Sequence, residues 1–295
     1  MAEPLRNTPA DWESEPTSSP GADPFPYGWR IRHVRLPSGE VAEQQIPLTP
    51  EDLLDPQLGD VVVQSVDHYW EAHDVAGPLR DHYASREDVL VASDVKLLWG
   101  IQDLKEPAPD VAVIFGIRDK KAERESFNCV AEGTRPSLVI EVVSSKDAEV
   151  RRNDYVDKVR IYEQAGVPEY IILDPPSRLT KNRFLLTGYR LEVGGKYQPI
   201  QPDPKGFLLS KTTNLLFGAA EDGQTLQVID AATGERLLTS LEVKEAQQRE
   251  AEARKQAEER AAQETARRKE AEERAEAAEA ETARLRAELE RYRGQ

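Results

Sequence analysis

Between residues 88 and 174 the apolar positions come in short runs that hardly alternate with polar ones: DVLVASDVKLLW (88–99), PDVAVIFG (109–116), PSLVIEVV (136–143) and EYIILD (169–174). Such runs predict strands covered on both faces. The stretch between the last two, roughly 147–165, reads as a helix closed by Gly166. Strand, helix, strand predicts a parallel pair joined by a right-handed crossover. Upstream, LTPEDLL (48–54) offers a helix start, with Thr49 as N-cap, Pro50 at N1 and Asp52 at N3. Residues 66–84 carry Val66, Tyr69, Trp70, His73, Pro78 and Tyr83 and read as a helix interrupted at Gly77-Pro78. Downstream, GYRLEVGGKYQPI (188–200) predicts a hairpin turning at Gly194-Gly195. The class is α/β, a small sheet covered by helices.

The two ends of the chain follow different rules. Residues 1 to about 28 are rich in Pro, Ser and acid and cannot bury enough apolar surface to offset ordering entropy, so disorder is expected there. From about 240 to 293 the composition collapses to Ala, Glu, Arg, Lys and Gln, strong helix formers, with no Gly or Pro before Gly294. QAEER at 256–260 returns as EAEER at 270–274, two heptads later. One seam runs through Ala257, Ala261, Ala271, Ala275, Ala278, Leu285, Leu289 and Tyr292, but Glu264 and Arg268 interrupt it. A long solvated helix fits this better than a tight coiled coil, with the Leu285–Tyr292 end as the place for self-association.

Charge and cysteine content narrow the function classes. The single cysteine, Cys129, excludes an intrachain disulfide framework and any Cys-rich ligand set. No apolar run approaches the roughly 20 residues of a membrane helix, and no basic-then-apolar leader opens the chain, so a soluble cytoplasmic protein is expected. The net charge of -15 argues against a nucleic-acid binder until its distribution is seen. Residues 1–79 carry 4 basic and 14 acidic side chains, 80–220 carry 21 of each, and 221–295 carry 14 and 19. The acidity lies at the ends, and the balanced middle leaves room for a basic patch.

Glu141 stands inside the run Leu138, Val139, Ile140, Val142, Val143. An unpaired carboxylate there costs several kcal/mol, so it must be protonated, paired or bound to a metal. Asp110 opens the neighbouring apolar run directly after Pro109. Two strands carrying one acid each can bring both carboxylates to one sheet end, a donor set that suits Mg²⁺. In RRNDYVDKVRIYEQAG, Lys158 shares a helical stripe with Tyr155, Ile161, Tyr162 and Ala165, all within roughly 60° of it. Its ammonium can point at the same sheet end, to orient a water and offset phosphorane charge. Each residue also has a plain reading: Glu141 tied to an Arg or Lys, Asp110 as a turn residue, Lys158 as an i,i+4 surface partner of Asp154.

Taken together, PDVAVIFG, PSLVIEVVSS and NDYVDKVRIYEQAGVPEYIILDP resemble the Uma2 family of endonucleases, within the PD-(D/E)xK restriction-endonuclease-like superfamily. The resemblance spans about 45–239 and takes in PEDLLDPQLGDVVVQSVDHYWE upstream and TGERLLTSLE downstream. It implies a restriction-endonuclease-like core, a mixed sheet of about four strands flanked by helices, followed by the 240–295 helix. It also implies a metal-dependent enzyme hydrolysing DNA phosphodiester bonds, with Mg²⁺ as cofactor and Mn²⁺ as its substitute. By position Asp110 and Glu141 would be catalytic metal ligands. The superfamily's lysine belongs two residues after the glutamate, where this chain has Val143; the resemblance moves it to Lys158 on the next helix, with Lys146 as rival. Asp94 matches a further acidic position of the family, and Glu71 is a weak match to an acid on the first helix.

Other constellations are thin. His68, His73 and His82 do not share a helical face and read as ordinary helix residues rather than a zinc site. Arg151, Arg152, Arg160 and Lys146 are candidates to meet phosphates. The displaced lysine and the acidic balance support an alternative: a catalytically inactive nuclease fold acting as a binding or assembly protein through its C-terminal helix. A homodimer through either part is compatible with both readings.

Overall fold

The computed structural model describes residues 23–144 and 147–293. The chain divides into two compact units, Met1–Thr239 and Ser240–Gln295. The first begins with a hairpin, β1 (Gly28–Arg35) and β2 (Val41–Pro47), joined on the other side of β1 by the short β3 (Val61–Val62). No strand is predicted at 28–47: its residues are exposed on both faces in large part, so no hydrophobic pattern marks them. The predicted helix start at 48–54 forms one 3₁₀ turn, Asp52–Leu54. Thr49 and Asp52 do exchange bonds: the Asp52 carboxylate accepts from the Thr49 amide at 2.9 Å and the Asp52 amide donates to Thr49 Oγ1 at 3.3 Å.

Helix α1 (Val66–His82) is N-capped by Ser65, whose side chain accepts from the His68 amide. It runs unbroken through Gly77-Pro78, against the predicted interruption. Pro78 and its neighbours Val75, Ala76 and Leu79 are buried, and that packing outweighs the backbone bond that proline removes. The predicted strand 88–99 is two strands, β4 (Val89–Ala92) and β5 (Lys96–Leu98). They part at Asp94, whose φ of 53° turns the chain out of the extended conformation.

There follow β6 (Val111–Phe115), β7 (Ser126–Asn128), the single-turn α2 (Cys129–Glu132) and β8 (Pro136–Val142). The predicted helix 147–165 is α3 (Ala148–Arg152), a wider π-type turn at Asn153–Asp157, and α4 (Lys158–Ala165), closed by Gly166 at φ 74°. Strand β9 (Glu169–Asp174) matches the predicted run. Then come β10 (Leu185–Leu191) and β11 (Tyr197–Pro199), the predicted hairpin, turning through Val193–Gly195 with Gly195 at φ 69°. Strands β12 (Leu208–Ser210), β13 (Leu215–Ala219), β14 (Leu226–Asp230) and β15 (Arg236–Leu237) form a separate antiparallel sheet.

The central sheet has six strands in the order β11-β10-β9-β8-β6-β4, two more than expected. Only β8 and β9 are parallel, as the crossover predicts. One face carries Ala112, Ile114, Val139, Tyr170 and Ile172 against Tyr155, Ile161 and Tyr162 of the helix that follows β8. The other carries Val111, Val113, Leu138, Ile140 and Ile171 against Val75 and Leu79 of α1 and Leu215 and Phe217 of β13. Both faces are covered, which is why the strands read as unbroken apolar runs.

The second unit is one helix, α5 (Ser240–Arg293), of 54 residues. Its described side chains are nearly all exposed, and Arg254–Glu258 and Glu264–Arg268 pair along it at i,i+4. Among the described residues no helix is long and apolar enough to cross a membrane.

Candidate active site

The strand register places the first two candidates. In the antiparallel pair of β6 and β8, Val111 lies opposite Ile140 and Ala112 opposite Val139. Asp110 directly precedes Val111, at a bend, and so stands at the end of the pair where Glu141 lies. Alternation along β8 puts Glu141 on the face that packs against α4. The Asp110 amide approaches Glu141 Oε2 at 3.4 Å, and Asp110 Oδ2 accepts from the Val142 amide at 2.6 Å.

The helix after β8 supplies the third. Lys158 Nζ lies 2.9 Å from Glu141 Oε2 and 2.8 Å from Asp154 Oδ1. Both readings of this lysine hold at once: it is the i,i+4 partner of Asp154, and it points at the sheet end. Asp110, Glu141 and Lys158 are thus brought together. Lys146 lies outside the described residues.

Three more residues belong to the cluster and escaped the sequence reading in this role. His68 Nε2 is 3.1 Å from Asp110 Oδ1, and its buried Nδ1 has no protein partner among the described residues. Tyr162 donates its hydroxyl to Glu141 Oε1 at 2.6 Å. Asp154 is buried rather than at the surface. Tyr162 and Asp154 were visible as stripe and i,i+4 neighbours of Lys158; nothing in the sequence pointed from His68 to Asp110.

Electrostatically the cluster has more acid than base. Burial pushes the Glu141 carboxyl up to about 8, with Asp110 and Asp154 adding to the rise and Lys158 and Tyr162 opposing it. Burial likewise raises Asp154 against the pull of Lys158. Burial would raise Asp110 too, but His68, Lys158 and the Val142 amide hold it below its ordinary value. For Lys158, burial favours the neutral form and is outweighed by Asp154, Glu141 and Asp110, so the ammonium stays charged. Asp94 lines the same cavity, accepts from Gln64 at 3.4 Å, and is raised by burial and by the charge of Asp110. Glu71 does not line it.

The donors are carboxylate oxygens, and uncompensated acid invites a cation. Among the described residues no three His, Cys, Asp or Glu side chains converge on one point. Mg²⁺ does not require that, since it takes one or two carboxylates and completes its shell with waters and phosphate oxygens. Asp110 and Glu141 fit such an ion.

One arginine departs from the expected phosphate contacts. Arg151 is 5% exposed and clamped on Asp174 at 3.1 and 2.5 Å, with Tyr155 on the same carboxylate at 2.9 Å. It is a buried structural pair because the Asp174 carboxylate claims its guanidinium. Arg152 pairs with Asp157 at 3.1 Å, and Arg160 is exposed.

The cluster opens into a cavity of about 780 Å³. Its lining includes His68, Asp110, Glu141, Asp154 and Lys158, and also Leu58, Val62, Val63 and Leu98.

Comparison with known proteins gives three results. The family described as "Uma2: Putative restriction endonuclease" matches residues 59–219. No curated protein matches the chain. Among solved structures the chain is similar to one described as the crystal structure of a "putative nuclease belonging to DUF820" from Anabaena variabilis ATCC 29413, at 12% identity over 59% of this chain and 79% of that one, with a TM-score of 0.36. The family match takes in α1, the central strands and every residue of the carboxylate cluster, and covers more than half of the sequence: the chain belongs to the Uma2 family.

Proposed function

We propose that the chain is a metal-dependent endonuclease that hydrolyses DNA phosphodiester bonds, with Asp110 and Glu141 as metal ligands and Lys158 beside them. The observation that carries this reading is that Glu141 Oε2 lies 3.4 Å from the Asp110 amide and 2.9 Å from Lys158 Nζ at one end of a buried sheet, beside an open cavity that all three line. Asp110 and Glu141 would hold the divalent ion, Mg²⁺ or Mn²⁺ in its place, which would supply Lewis acidity and an activated water. Asp110 is held ready to bind by His68 and the Val142 amide; Glu141 is aimed by Tyr162. Lys158 carries a fixed positive charge toward which the developing phosphorane charge can turn. Purified protein with Mg²⁺ or Mn²⁺ should nick plasmid DNA, and Glu141→Gln should stop it with the circular dichroism spectrum intact. Undiminished cutting by that variant removes Glu141 from the site.

One observation favours the second reading, an inactive nuclease fold that binds or assembles through α5. Both Glu141 oxygens are already engaged, by Tyr162 and by Lys158. Calorimetric titration with Mn²⁺ separates the two: heat that vanishes in Asp110→Asn supports the enzyme, and no heat in the native protein supports the assembly role.

A further inference from the structure

We infer that the cavity takes an unpaired nucleotide rather than an intact duplex, its base against the aliphatic side chains and its phosphodiester at the carboxylate cluster. The inference rests on the nuclease reading and names the substrate class for the same site.

The cavity lining combines two kinds of side chain. His68, Asp110, Glu141, Asp154 and Lys158 are polar or charged, while Leu58, Val62, Val63 and Leu98 are aliphatic. Its volume, about 780 Å³, falls in the range of roughly 300–1,000 Å³ typical of small-ligand sites. The aliphatics have not been drawn into the core: Leu58 is 88% exposed, Val62 40% and Val63 48%. Adjacent aliphatics left open along a pocket wall mark a surface that a ligand covers.

Charge decides which ligand. Among the described residues Asp60, Asp94, Asp110, Glu125, Glu141 and Asp154 line the cavity, against Lys96, Lys158 and His68; Asp60 is the one held by an arginine, Arg30, at 2.6 and 2.7 Å. Neither lysine is free, since Lys96 is bound to Asp55 at 2.7 Å and Lys158 lies between two acids. Duplex DNA is held chiefly by Lys and Arg along its two phosphate rows. A lining with no unpaired Lys or Arg among the described residues gives those rows nothing to hold, and stacked, paired bases have no free face to give an apolar wall. An unpaired nucleotide reverses both terms. It brings one phosphodiester to the carboxylate cluster, and its base can be covered by apolar side chains, as in enzymes that act on single strands or extruded bases.

The test uses full-length protein and a fluorescein-labelled 20-nucleotide strand, alone or annealed to its complement, with Ca²⁺ in place of Mg²⁺, followed by anisotropy. The single strand should bind at least about tenfold more tightly than the duplex, a difference of the size that covering one base supplies. Leu58→Ser combined with Val63→Ser should erase that preference. Both side chains are exposed, so folding is not at stake, and Mn²⁺ titration should be unchanged. Equal or tighter duplex binding overturns the inference, as does binding of neither probe, or an unaltered preference in the double variant. So does a native dimer that the double variant turns into a monomer in light scattering, which would assign the wall to a second copy of the chain. Preferential single-strand binding without cleavage in Mg²⁺ or Mn²⁺ would instead sink the nuclease reading and leave the pocket's preference standing.

Discussion

Two glutamates sit on the adjacent parallel strands β8 and β9, each 1% exposed, near opposite ends of the pair. Glu169 is surrounded by donors. It accepts from Ser210 Oγ at 2.6 Å, Thr212 Oγ1 at 2.7 Å, the Lys211 amide at 3.0 Å and Arg190 Nε at 2.7 Å. Burial would raise its carboxyl, but these bonds win and hold it below its ordinary value. Glu141 is equally buried and goes the other way, up to about 8, because it shares one lysine with Asp154 and faces Asp110. Burial alone therefore does not separate the two carboxylates; the company does. Glu169 has more donors than it needs and ties β9 to the β12–β13 connection. Glu141 is in a crowd of acids that stability alone gives no reason to assemble, and such crowding gathers where a ligand uses it.

Neutralising each glutamate in turn should pull these roles apart. Glu141→Gln should reduce cleavage by about 10³-fold or more, since a metal ion contributes several kcal/mol of transition-state stabilisation and each tenfold is about 1.4 kcal/mol. Its urea midpoint should hold or rise, because burial and the neighbouring acids already favour the neutral form of this carboxyl, which an amide mimics. Glu169→Ala should do the reverse. Breaking a buried charge pair costs about 3 kcal/mol, visible in urea unfolding, with Mn²⁺ affinity unchanged in the protein that remains folded. If the two variants lose stability alike, the contrast between their surroundings has no energetic meaning.

The sequence carried much of this, unevenly. PSLVIEVV and EYIILD fold as read because strands covered on both faces advertise themselves by unbroken apolar runs. Gly166 and the turn through Gly195 were legible because each takes a positive φ that side chains disfavour. The meeting of Asp110 with Glu141 was suggested by one acid on each of two apolar runs, and the antiparallel pairing of β6 with β8 brings the Asp110 amide to 3.4 Å from Glu141 Oε2. The 28–47 hairpin was invisible, since a ribbon exposed on both faces has no period to detect. Asp94 ends β4 by a left-handed turn that the surrounding apolar run concealed. His68 was hidden for another reason: its partner lies 42 residues away, and a contact of that span leaves no local signal. The same limit made Arg151 look like a phosphate contact, because its partner Asp174 is brought to it only by the crossover. Nothing in EYIILD distinguishes Glu169 from Glu141; only the loop at 210–212, folding back from beyond β11, does so.

A smaller change sharpens the contrast at the level of single hydrogen bonds. Tyr162→Phe removes the hydroxyl that fixes Glu141 Oε1. Partners of this kind are worth about tenfold in metal affinity, so calorimetric Mn²⁺ titration should show a loss of that order. The matching change at the other glutamate, Ser210→Ala, should leave that titration alone and lower stability by about 1 kcal/mol. An unaltered Mn²⁺ affinity in Tyr162→Phe would mean that Lys158 alone orients Glu141.

The smallest effect concerns a third carboxyl with burial but no crowd of donors. Glu71 lies on α1 one turn from His68, half-buried, and no hydrogen bond to its carboxylate is seen among the described residues. Burial pushes it up to about 7 from an ordinary 4.5, with Asp67 adding and His68 opposing. A group that holds its proton more tightly when folded adds stability at low pH. That contribution is complete below about 4.5 and is lost as pH rises through about 7. Solvent reaches this side chain and screens it, so the effect is modest. Glu71→Gln should match the native protein in thermal unfolding at pH 5 and exceed it by about 1–2 °C at pH 7.5. Because Glu71 lies outside the cavity, the substitution should leave Mn²⁺ binding as it was. Identical pH profiles for the two proteins would show that solvent already compensates this carboxylate. Burial without donors would then be tolerated on the helix surface, and a raised carboxyl would require the full enclosure that Glu141, 1% exposed, has.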